Sequence, residues 1–85
     1  MENVYSKFER EITLFAYNFA KEVEQEINSC ELDREHGAQR AAVINSCLDD
    51  LQGSLSGWPY ARAIIKAAKD KAKEKFEHLE EIYKN

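Results

Sequence analysis

The chain is poor in the residues that punctuate structure. Three glycines and one proline occur in 85 residues, too few for the closely spaced turns of an all-β fold. Cysteine is also scarce. Cys30 and Cys47 are the only two, whereas a secreted domain of this size commonly carries about four or more in a disulfide framework. No apolar run approaches the roughly 18–20 residues that span a bilayer. The segment MENVYSKFERE places acids where an export signal needs a basic and then an apolar stretch, so no signal peptide is expected. These absences point to a reducing cytoplasm as the compartment.

Catalytic patterns are missing too. Gly37, Gly53 and Gly57 form no phosphate-cradling loop, and there is no G-x-S-x-G elbow. His36 and His78 do not pair with Cys30 or Cys47 at the spacing of about two to four residues that zinc ligands favour. Glu22, Glu26 and Glu35 lack the Glu-x-x-His motifs of a di-iron bundle. Cys47 and the distant His78 have no spacing that supports a nucleophile pair. The chain is therefore expected to be non-enzymatic, with no metal or cofactor. Its cysteines are expected to be small buried hydrophobes.

What is present is a folded composition. Hydrophobic residues make up 44% and charged residues 33%, too apolar for a disordered chain and too charged for a membrane one. The length suits a single domain over residues 1–85.

Three helices account for most of it. In the first, over about residues 2–29, Tyr5, Phe8, Ile12, Phe15, Phe19, Val23, Ile27 and Cys30 step by three or four and share a stripe. Its aromatics mark it as the richest core contributor. In the second, over about residues 34–52, Ala41, Ile44, Leu48, Leu51 and Leu55 do the same. Asp33 is placed to cap its start and Gly53 to follow its end. Gly37 offers an alternative boundary, with the second helix starting at Ala38. In the third, over about residues 59–84, Ala61, Ile65, Ala68, Ala72, Phe76, Leu79 and Tyr83 form the stripe, and Pro59 suits the first turn. The GSLSG loop joins the last two helices. Ile27–Cys30 recurs as Ile44–Cys47 without matching flanks, and nothing is built on it.

The predicted fold is all-α, a long-short-long three-helix bundle. At ~1.5 Å per residue the first helix is roughly 40 Å long and the second roughly 28 Å. The middle helix is then too short to cover both others. Tyr5, Phe8 and Ile12 would overhang at one end, and Phe76, Leu79 and Tyr83 at the other. Apolar surface left in water costs ~25 cal/mol per Å², so the overhangs predict a partner, most simply a second copy in a homodimer. Leu14 and Tyr17 add a small second apolar face to the first helix. Trp58, beside Pro59 and Tyr60, reads either as a plug for the end of the bundle or as an anchor for a partner.

Charge is segregated. The sequence carries 12 basic and 16 acidic residues, a net −4. Residues 1–35 hold 9 acids against 4 bases, and residues 62–75 hold 6 bases against 2 acids. Arg62, Lys66, Lys69 and Lys73 form a basic stripe on the third helix, with a helical pair expected between Lys73 and Glu77. The stripe could contact an anionic partner, a nucleic acid included. The acidic chain opposes a polyanion as a whole. The functional expectation is a small cytoplasmic protein that binds another protein as regulator, inhibitor or adaptor, without contact with a membrane. Nucleic-acid binding through the basic stripe is the alternative.

Overall fold

A computed structural model of the chain describes residues 4–83, with the side chain of Tyr83 outside the described side chains. Three helices follow one another: α1 (Val4–Cys30), α2 (Gly37–Ser54) and α3 (Pro59–Tyr83). The expected ends at residues 2 and 84 lie outside the described residues. The order is long, short, long, with 27, 18 and 25 residues.

The chain runs up, down and up. Tyr5 of α1 lies against Trp58, just ahead of α3. At the other end Glu31 pairs with Lys75 of α3, so α1 and α3 run parallel. Arg40 of α2 meets Glu26 of α1 at 3.1 Å, and Asp49 of α2 meets Lys69 of α3 at 2.6 Å. α2 is therefore antiparallel to both. Packing is most extensive along α2–α3 and α1–α3 and sparsest along α1–α2. α3 is the element on which the other two rest, and the molecule is elongated, about 59 × 19 × 14 Å.

The core follows the predicted stripes in α2 and α3. Ala41, Leu48 and Leu55 close against Ala61, Ile65, Ala72 and Leu79. In α1 the core runs through Ala16, Val23, Ile27 and Cys30. The aromatics expected to lead it do not: Tyr5, Phe8 and Phe15 stay about half exposed. At about 100° per residue, Phe8 and Phe15 project to one side of the line through Ala16 and Val23. That side also carries Glu26, which turns toward α2, and α2 is the helix that α1 touches least. Phe15 instead stacks on Phe19, with ring centroids 5.8 Å apart.

The start of α2 corrects the expectation of Arg34, and the reason is Gly37. A Cβ there would press into the carbonyl oxygen of Cys30. The end of α1 packs directly on the backbone at Gly37, and the segment between them is a tight turn. Asp33 still acts as a cap, but of that turn. Its carboxylate accepts the His36 N–H at 2.9 Å, and its carbonyl accepts the Gly37 N–H at 2.7 Å. Gly53 is likewise inside α2 rather than after it. The helix continues to Ser54, and Leu55 caps it with its N–H on the Leu51 carbonyl at 3.0 Å.

The overhangs are shorter than the lengths imply. The loop at Gly57–Trp58 reaches the beginning of α1, where the Tyr5 hydroxyl lies 3.5 Å from the Gly57 carbonyl oxygen. At the other end the α1–α2 turn continues the cover beyond α2, and the Lys75–Glu31 pair fixes it beside α3. Leu79 is fully buried. No described helix is long and apolar enough to cross a membrane.

Candidate interaction surface

On the side of the molecule away from α2, α1 and α3 leave a groove of about 980 Å³ between them. Its floor is apolar and shallow. Val23, Ile27 and Ala72 come up from the core, and Ala20, Ile64, Ala67 and Ala68 extend them toward solvent. Alanines keep the floor low because they project only a methyl group. The rims are charged, with Lys21 and Glu24 on α1, and Lys71, Glu74, Glu77 and Glu81 on α3. Tyr17 stands at one end with the Lys21 ammonium 4.7 Å from its ring centroid, a contact that holds both side chains over the rim.

The sequence-selected residues divide among several surroundings. Tyr17 lines the groove. Leu14 and Phe8 are exposed on other parts of α1. Ile12 and Phe76 are partly buried against the core. Trp58 is also partly buried and stacks on Tyr5, centroids 5.1 Å apart and planes 17° apart. It therefore closes one end of this chain's own bundle. Leu79, expected to face a partner, is inside the core, because it continues the line of Ala61, Ile65 and Ala72. The side chain of Tyr83 lies outside the described ones.

The basic stripe is present but interrupted. Arg62, Lys66 and Lys73 are exposed. Lys69 is held by Asp49 of α2, so it serves the α2–α3 contact. No Lys73–Glu77 ion pair forms among the described residues; the ion pairs of α3 reach across to Asp49 of α2 and to Glu31.

The strongest local electrostatics belong to the α1–α2 turn. The Arg40 guanidinium donates to Asp33 at 3.2 Å, to Glu26 at 3.1 Å and to the Ser29 hydroxyl at 2.9 Å. The His36 N–H, and after it Arg40, hold the Asp33 carboxyl below its usual range. The hydrogen bond from Lys75 does the same for Glu31, and the bond to Asp33 raises Arg40. Cys30, whose thiol donates to the Glu26 carbonyl at 3.3 Å, is pushed up by burial. The Asp33, Arg40 and Cys30 shifts belong to a clamp that ties the end of α1 to the start of α2, and the Glu31 shift to the ion pair that ties the turn to α3. Cys47, expected to be buried like Cys30, is exposed, and both thiols are free. Among the described residues no group of three or more His, Cys, Asp or Glu is placed to hold a metal ion.

Sequence reasoning missed the groove itself. Its signal is faint: Ile64, Ala68, Lys71 and Lys75 form a second stripe beside that of Ile65 and Ala72. Alanine reads equally well as core, rim or helix filler. No protein-family model, curated protein or solved structure matches this chain.

Proposed function

We propose that this protein works by binding another protein, as a regulator, inhibitor or adaptor, without catalysis of its own, and that it does so as a homodimer in the cytoplasm. The observation that supports the reading is the groove between α1 and α3. It offers a low apolar floor inside charged rims along about five helical turns, the form in which helices receive other helices. The Asp33 and Arg40 shifts lie elsewhere, in the structural clamp between α1 and α2, and the Glu31 shift comes from its ion pair with Lys75 at the groove's edge. That distribution favours a surface whose work is recognition.

The test is affinity capture from the source cells with the wild-type chain and with Ala67→Glu, which places a carboxylate beside the groove floor at an exposed position. A protein retained by the first and lost with the second supports the reading. Retention indifferent to the substitution, or no protein retained at all, opposes it.

A second reading, nucleic-acid binding, draws on the exposed Arg62, Lys66 and Lys73 along α3. The tie between Lys69 and Asp49 weakens it, as does the net −4. A salt-dependent mobility shift with DNA or RNA, lost in the Lys66→Glu/Lys73→Glu double variant, would favour it. No shift at low salt would end it.

A further inference from the structure

We draw no further inference here: the strongest candidate, the exposed aromatic face of α1 around Phe8 and Phe15, is an apolar surface for which nothing in the structure shows what covers it.

Discussion

The ring of Tyr5, one turn into the chain, stacks on that of Trp58 at 5.1 Å, with 17° between their planes. The pair joins the free end of α1 to the loop before α3 and makes an inward plug of the only tryptophan. Trp58 should therefore emit as a partly shielded residue in the free protein. Tyr5→Ala should shift its emission to the red, raise its quenching by iodide and cost about 0.5–1.5 kcal/mol, the usual worth of an aromatic pair. Emission unchanged by the substitution would show that the stack does not form.

Two glycines of α2 should respond in opposite directions. Gly37→Ala drives a methyl group into the Cys30 carbonyl and should destabilise the fold by about 1–3 kcal/mol, as overpacking does. A Cβ at Gly53 meets nothing, so Gly53→Ala in the last turn of the helix should stabilise by about 0.4–1 kcal/mol. Urea unfolding of both variants measures the contrast.

The α1–α2 turn should be sensitive to acid. Asp33 and Glu31 are both held below the usual carboxylate range in the folded chain, by the His36 N–H and by Lys75 respectively. A carboxyl depressed by folding contributes stability that is full above its unfolded pKa and lost as pH falls through its folded pKa. Melting temperature should thus hold through neutral pH and fall only at and below the ordinary carboxylate range. Asp33→Asn should lower the neutral plateau and flatten part of that acid limb. An acid limb identical to that of the wild type would show that Asp33 does not contribute to the acid sensitivity.

Leu79 and Phe8 separate stability from surface. Leu79→Ala empties a fully buried site and should cost about 2–5 kcal/mol. Phe8→Ala removes a half-exposed ring and should cost well under half of that. Comparable losses in chemical denaturation would mean that Phe8 is covered in solution.

The three helices and the core lines of α2 and α3 were legible because their apolar spacing is clean and Pro59 and the GSLSG loop mark a boundary. Other features depended on tertiary distances that periodicity does not contain. Gly37 carried a double signal, and only the approach of the Cys30 carbonyl decides it. Leu79 was read as overhang because helix lengths alone ignore the cover given by a connecting turn. Phe8 and Phe15 fit the stripe by spacing, yet the side chains that face α3 are one position along, at Ala16 and its line. Cys47 repeats the neighbours of Cys30, but their neighbours in space differ. The groove was illegible for the same reason: its floor is largely alanine, whose identity says little about which helix pair stays open.

The most direct measurement is a concentration series of amide NMR spectra of the wild-type chain. Self-association through the α1–α3 groove should give shifts that grow with concentration at Tyr17, Ala20, Lys21, Ile64, Ala67 and Lys71, while Arg62, Lys66 and Lys73 on the basic stripe stay fixed. Spectra that do not change with concentration, or shifts gathered along α2 and the basic stripe, would contradict it.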